Sequence, residues 1–225
     1  MSGRFERDIA ISKPRVTGIA GDAYDRLREM LLAGVLPGGS VVQERRLAEE
    51  LGLSRTPVRE AFRRLEGEGL LRRQDRFLTV ATVSMAEVME ILAVRGMLEA
   101  EAARAAAGRM RPESLQGVRR AIQKMKDAKS VTDDEHWAID DLVHRTIAEE
   151  SGNHLLAVLI MDLRRRTRLF GLRRQPKRFA PGKDEHLGIL DAIESGDADE
   201  AAKRMRRHLD NARQAILATL SQQPA

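Results

Sequence analysis

Apolar residues along this chain recur in two rhythms. Over residues 16–81 they form short helical runs punctuated by Gly and Pro. Over residues 84–220 they form long runs rich in Ala, Leu, Arg and Glu. In the first part Tyr24, Leu27 and Leu31 fall on one side of a helix predicted from Ile19 to Ala33, which the loop Gly34-Val35-Leu36-Pro37-Gly38-Gly39 ends. Leu47, Ala48 and Leu51 give the inward side of a short helix from Glu44 to Leu51. Gly52 turns the chain and Leu53 anchors the turn. Ser54 is expected to cap a second helix, Arg55 to Glu68, with Pro57 in its first turn and Val58, Phe62 and Leu65 as its buried stripe. Beyond Gly69, Leu70 to Arg73 and Phe77 to Ala81 read as two strands joined through Gln74-Asp75-Arg76. The pattern is helix, helix-turn-helix, hairpin.

The second part predicts six helices: Ser84 to Gly108, Pro112 to Lys129, Thr132 to Ser151, Asn153 to Leu172, Gly182 to Ser195 and Asp197 to Leu220. Gly152, Pro181 and Gly196 mark breaks, and Ser84 with Glu87 reads as a capping box. The fold class is therefore mainly α: a winged helix-turn-helix over 16–81, then an all-helical antiparallel bundle over 84–220. Residues 1–15 are expected to be a flexible arm, or alternatively a contact for DNA or a partner subunit.

Composition narrows the chemistry. Of 225 residues 42% are apolar and 32% charged, an ordinary globular mix. Aromatics are 3%, so the cores rest on Leu, Ile, Val, Ala and Met. The absence of cysteine excludes disulfides, thiolate metal sites and cysteine nucleophiles, and fits a reducing cytoplasm. The net charge, 39 − 34 = +5, is compatible with nucleic acid without identifying it. The most apolar stretch, Leu155 to Met161, is too short to span a bilayer, and residues 1–15 lack the hydrophobic segment of a secretory signal. A cytoplasmic protein with no membrane partner is expected.

The helix from Arg55 carries Arg55, Arg59 and Arg63 at intervals of four, off its apolar stripe. A helix fits the major groove of DNA, and arginine forks onto guanine or pairs with phosphate. Ser54 and Thr56 can reach phosphate through their hydroxyls, and Arg45 stands at the start of the preceding helix. Arginines on a solvated face are the competing reading. The run from Leu47 to Leu65, with Ser54-Arg55-Thr56-Pro57-Val58-Arg59-Glu60 at its centre and Glu68-Gly69-Leu70 after it, resembles the winged helix-turn-helix of GntR-family bacterial transcription regulators. The resemblance implies operator contacts from Arg45, Arg55 and Arg59, and a wing entering the minor groove. Relatives usually carry Gly-Arg-Gly or Asn-Arg-Gly at the wing tip. Here it is Asp75-Arg76-Phe77: Arg76 keeps the basic residue, and Phe77 in place of glycine implies a differently turned backbone.

Five histidines lie in the second part: His136, His144, His154, His186 and His208. Asp140 and His144 share a helix face, and with His186 and His208 they form a plausible set for a divalent metal. On spacing alone each histidine is more often a surface or hydrogen-bonded core residue. Three further runs resemble the FCD effector domain of the FadR-like branch. They are Val94-Arg95-Gly96-Met97-Leu98-Glu99, Asp140-Asp141-Leu142-Val143-His144, and Glu185 to Leu190 with Met205-Arg206-Arg207-His208-Leu209. The resemblance implies a divalent ion (zinc first, nickel or manganese alternatively) on Asp140, His144, His186 and His208. It also implies a facing pocket for a small carboxylate, an organic, sugar or amino acid. Arg95 is the expected second anchor for that carboxylate, an ion pair with Glu99 being its alternative. Six helices point to the VanR-like subgroup. Arg164, Arg165, Arg166 and Arg168, followed by Arg173, Arg174, Lys177 and Arg178, make a basic run whose default is a solvated face, though one of the arginines could enter the pocket or the run could be drawn to flanking DNA. His136, His154 and Trp137 carry no assigned role beyond packing.

The implied protein is a homodimer reading palindromic double-stranded operator DNA, most commonly a repressor relieved by a metabolite, with activation as the other mode. A purely structural metal without effector is the main alternative. A metal-dependent hydrolase is disfavoured, since no separate general acid or base is placed by motif.

Overall fold

The computed structural model describes residues 19–128, 130–169 and 176–220. The expected arm over 1–15 lies outside the described residues. The head consists of α1 (Ile19–Leu32), α2 (Glu44–Leu51), α3 (Arg55–Gly67), β1 (Leu71–Gln74) and β2 (Phe77–Val80). Tyr24, Leu27 and Leu31, then Leu47, Ala48 and Leu51, then Val58, Phe62 and Leu65 bury together with Leu70, Leu71 and Val80. The helix-period stripes thus meet in one core. Gly52 adopts φ +68° while its N–H closes back onto α2 carbonyls, a left-handed cap that a side chain would strain.

Two expectations in the head need correction. Ser54 occupies the N-cap of α3 with extended backbone, yet its side chain makes no capping hydrogen bond. Pro57 is the third helical residue, one of the two positions where a cap oxygen finds an N–H, and it has none to offer. The hairpin pairs Leu71 with Val80 and Gln74 with Phe77, so only Asp75 and Arg76 form the turn. Asp75 supplies the positive φ, +54°, which an aspartate tolerates better than most side chains. This closes the wing with Phe77 in the strand. The loop before α2 also adds an edge to β2, through Val80 N–H to Ser40 O (2.9 Å), Val42 N–H to Leu78 O (2.9 Å) and a Val41–Thr79 bridge.

The second part contains α4 (Met85–Ala106), α5 (Pro112–Asp127), α6 (Asp133–Glu150), α7 (His154–Leu169), α8 (Pro176–Glu194) and α9 (Ala198–Leu220). The Ser84 hydroxyl accepts from Glu87 N–H, one half of the expected box. The reciprocal box is instead at Thr132 and Glu135, starting α6. Pro181 is not a break. α8, described from Pro176, runs through Pro181, where one intrahelical hydrogen bond is lost. α4 packs against α6, α7, α8 and α9, around a core that includes Ile122, Ile147, Ile160, Ile189, Leu190 and Met205. At the head–bundle joint, Val83, Val88, Ile91, Leu92 and Ile216 form a smaller cluster. Leu169 at the end of α7 packs against both this cluster and the head core. Among the described residues, no helix is long and apolar enough to cross a membrane.

Candidate metal centre and nucleic-acid face

Within the bundle, α6 brings Asp140 and His144, α8 brings His186, and α9 brings His208 to one point. One ligand atom from each lies within 4.8 Å of the others. The i, i+4 spacing stacks Asp140 and His144 on the inner face of α6, and the three histidines are buried. Their Nε2 atoms form a near-equilateral triangle, with separations of 3.2, 3.2 and 3.3 Å. Asp140 Oδ1 lies 3.5 Å from His186 Nε2 and 3.8 Å from His144 Nε2. Nitrogens so spaced subtend about 100° at an ion about 2.1 Å away, between the tetrahedral and octahedral angles.

The outer ring nitrogens explain why the inner ones converge. His144 Nδ1 bonds Glu99 Oε2, and His208 Nδ1 bonds Glu185 Oε2 at 2.7 Å. Glu185 Oε1 also accepts from Asn211 at 2.8 Å. A carboxylate on Nδ1 keeps the proton there and leaves Nε2 as a bare lone pair, the arrangement of a metal-ligating histidine. Burial lowers the pKa of His144, reinforced by Arg164. Burial, then the neighbouring His208, holds His186 well below its ordinary value. Both are therefore kept as the neutral, ligating form. Burial opposes ionisation of Asp140, but Arg164 and the histidines outweigh it and keep the carboxyl well below its usual range. Two or more convergent lone pairs and a carboxylate suit a divalent cation, so the buried cluster can coordinate one.

Arg164 is the member of the basic run that enters the site. It is 4% exposed, and its Nη2 lies 2.6 Å from both Asp140 Oδ2 and Asp141 Oδ1. Its Nη1 is buried with no hydrogen-bond partner. Arg95 takes the alternative foreseen for it: Nε pairs with Glu99 Oε1 at 2.6 Å, and Nη1 reaches Thr167 Oγ1 at 3.4 Å. Burial disfavours charge on Glu99, yet Arg95 and His144 hold its pKa below the ordinary carboxylate value. Lys177 and Arg178 have no described side chains, and Arg173 and Arg174 lie outside the described residues. Trp137, half-buried on α6 one turn before Asp140, meets the His136 ring edge-on at 6.5 Å.

On the head, Arg45, Ser54, Arg55, Thr56, Arg59, Arg63 and Arg76 are all exposed. Arg45 pairs with Glu49 on its own helix at 2.9 Å, and Arg76 sits 5.3 Å from the Phe77 ring at the wing tip. The structure brings Arg55 and Arg59 together on a residue that sequence reasoning passed over. Glu44 Oε1 accepts from Arg55 Nε at 2.9 Å and from Arg59 Nη2 at 2.8 Å, and Oε2 accepts from Arg59 Nε at 2.8 Å. Glu44 opens α2, eleven and fifteen positions before its partners, so only the angle between the two helices reveals the contact. Glu185 was missed for the same reason: its partner is on another helix.

A winged helix-turn-helix carrying exposed arginines, joined to a bundle with a metal-competent buried cluster, is the plan of a DNA-binding transcription regulator. Residues 19–79 match the model of the bacterial regulatory proteins of the gntR family, and residues 90–211 match the FCD domain. The chain belongs to the GntR family, with an FCD-type effector domain. It is 29% identical over 197 residues to a probable D-xylose utilization operon transcriptional repressor of Paenarthrobacter nicotinovorans, covering 86% of each chain. It is 24% identical over 193 residues to the gluconate operon transcriptional repressor of Bacillus licheniformis, covering 82% of this chain and 79% of the relative. Among solved structures it resembles E. coli McbR/YncC, with a TM-score of 0.77 at 24% identity, covering 91% and 99% of the two chains. That last likeness supports the fold.

Proposed function

We propose that this chain is a homodimeric repressor of the FadR-like branch, VanR-like subgroup, whose operator binding responds to a small carboxylate bound beside a divalent metal. The observation that carries the reading is the buried convergence of three histidine Nε2 atoms and Asp140 beside the unpartnered Arg164 Nη1, in a chain with a DNA-reading head. Asp140, His144, His186 and His208 hold the ion, zinc first, with nickel or manganese as alternatives. The ion offers a Lewis-acidic position for a carboxylate oxygen. Arg164, whose Nε and Nη2 hold Asp141 and Asp140 while its buried Nη1 has no partner, anchors the carboxylate in preference to Arg95, whose Nη1 faces Thr167. Arg45, Arg55, Arg59 and Arg63 meet the major groove with Ser54 and Thr56 at the flanking phosphates, and Arg76 reads the minor groove from the wing. The exposed apolar residues Val94 and Met97 on α4 and Leu155, Val158 and Leu159 on α7 support a dimer through these two adjacent helices. Repression is the role of the two operon repressors that the chain resembles, and an organic, sugar or amino acid is the effector class assigned here.

The test is selection of genomic fragments by purified protein at a stated, near-physiological salt. A palindromic site is expected, with Arg59→Ala losing at least about 10-fold in affinity for it. Undiminished binding by Arg59→Ala would sink the assignment of α3 as the reading helix. A panel of small carboxylates should then release the site from the wild type but not from Arg164→Ala.

A further inference from the structure

We infer that Glu44 is a positioning residue for DNA readout, clamping Arg55 and Arg59 so that they discriminate bases instead of gripping any phosphate. This rests on the DNA-binding reading above. Its carboxylate takes three N–H groups: Arg55 Nε, Arg59 Nε and Arg59 Nη2. The two arginine side chains remain exposed, at 63% and 52% for Arg55 and Arg59, whereas the Glu44 side chain is recessed at 21%.

An Nε held by a fixed acceptor fixes the plane of its guanidinium. On Arg59 the side edge, Nε with Nη2, is occupied by the two oxygens of Glu44, so only the end edge with Nη1 can meet DNA. On Arg55 both terminal nitrogens stay available while Nε is pinned. A fork held this way matches guanine O6 and N7 only where the base stands in line with it. An unheld arginine swings through its rotamers and pairs with whichever phosphate is near, which carries no sequence information.

The charge arithmetic points the same way. A carboxylate behind a DNA-facing surface opposes the phosphates, and here it cancels one of two arginine charges. It therefore lowers attraction to DNA in general. Held geometry offsets that cost at the correct site alone. The wider result is a larger ratio of specific to non-specific affinity, which is the quantity that counts against a genome of competing sites. Arg63, on the same helix, and Arg76, on the wing, are outside this clamp and supply unclamped charge.

The experiment uses the full-length protein with Glu44→Ala and Glu44→Gln. The wild type first selects a preferred duplex from a randomised double-stranded library. That duplex and a scrambled one of equal length and composition are the probes, titrated over a range of salt. Failure of the wild type to prefer any duplex would count against the DNA-binding reading itself, and the Glu44 question is put only to a protein that discriminates. Glu44→Ala should bind the scrambled duplex more tightly, with a salt slope steeper by up to about 0.9, one extra phosphate contact. Its preference for the selected duplex should fall at least 10-fold, and Glu44→Gln, which keeps one acceptor without the charge, should fall between. Two results would overturn the inference. One is equal change on both duplexes, the mark of a merely structural side chain. The other is unchanged scrambled-duplex binding with discrimination lost at a single base pair, which would make Glu44 itself a base-contacting residue. An unaltered melting temperature establishes that both variants are folded.

Discussion

Three imidazole nitrogens that face one another at 3.2–3.3 Å repel unless a proton or a cation lies among them. With the outer nitrogens of His144 and His208 bonded to Glu99 and Glu185, a metal ion is the natural occupant. Loaded protein at a free ion concentration 100-fold above its dissociation constant gains about 2.7 kcal/mol. Chelation should then lower the melting temperature by roughly 5–10 °C in a chain of this size. His208→Ala should melt at the same temperature with or without chelator. Glu99→Gln, which keeps shape but gives up the charge, should weaken metal affinity about 10–100-fold in a chromophoric chelator competition. Unchanged affinity would show that the carboxylate on His144 does not tune the site. The convergence of Asp140, His144, His186 and His208 was legible in the sequence, because Asp140 and His144 share a helical repeat and the flanking motifs resemble a known domain. Glu185, Arg164 as the partner of Asp140, and Glu44 were not singled out. Each acts across two helices, and one-dimensional spacing carries no record of interhelical approach.

At the scale of elements, the helices are held by end-to-end clamps. Glu150 at the end of α6 accepts from Arg111 N, Nε and Nη2 and from Ser114 Oγ at the start of α5, at 2.7–3.1 Å. The Arg111 hydrogen bonds, against a small desolvation cost, pull the Glu150 pKa down to about 2. A depressed carboxyl pKa stabilises the fold above the unfolded value near 4.5, and that stabilisation fades as pH falls toward about 2. Glu150→Gln should therefore cost about 1 kcal/mol at neutral pH, the upper end for a solvent-screened network. Thermal melts should show the gap to wild type narrowing from about pH 4.5 and nearly closed by pH 2, and an undiminished gap at pH 2 would rule this origin out. Element types were legible throughout: the apolar stripes give all the helices and the hairpin. The misread points share one cause. Pro57 and Pro181 both act by lacking a backbone N–H, which apolar spacing does not register.

For the whole molecule, the head and bundle each have a core, and Leu169 touches both the head core and the cluster at the joint. Among the described residues, the most exposed large apolar side chains of the bundle are Met97 on α4, at 63%, and Leu155 on α7, at 67%. Paired substitution Met97→Glu and Leu155→Glu should leave folding intact, because neither side chain is buried, yet give a monomer in sedimentation velocity at micromolar concentration. A dimer that survives both changes would place the interface elsewhere. The aromatic poverty of the chain has an optical consequence. Its single tryptophan, Trp137, stands one turn from Asp140 on α6, and its single tyrosine, Tyr24, lies in the head core. Red-edge excitation therefore lights the bundle alone. The protein carries its own fluorophore beside the candidate pocket, and occupancy there can be followed in real time without attaching a dye, in the presence of DNA that emits nothing in that window.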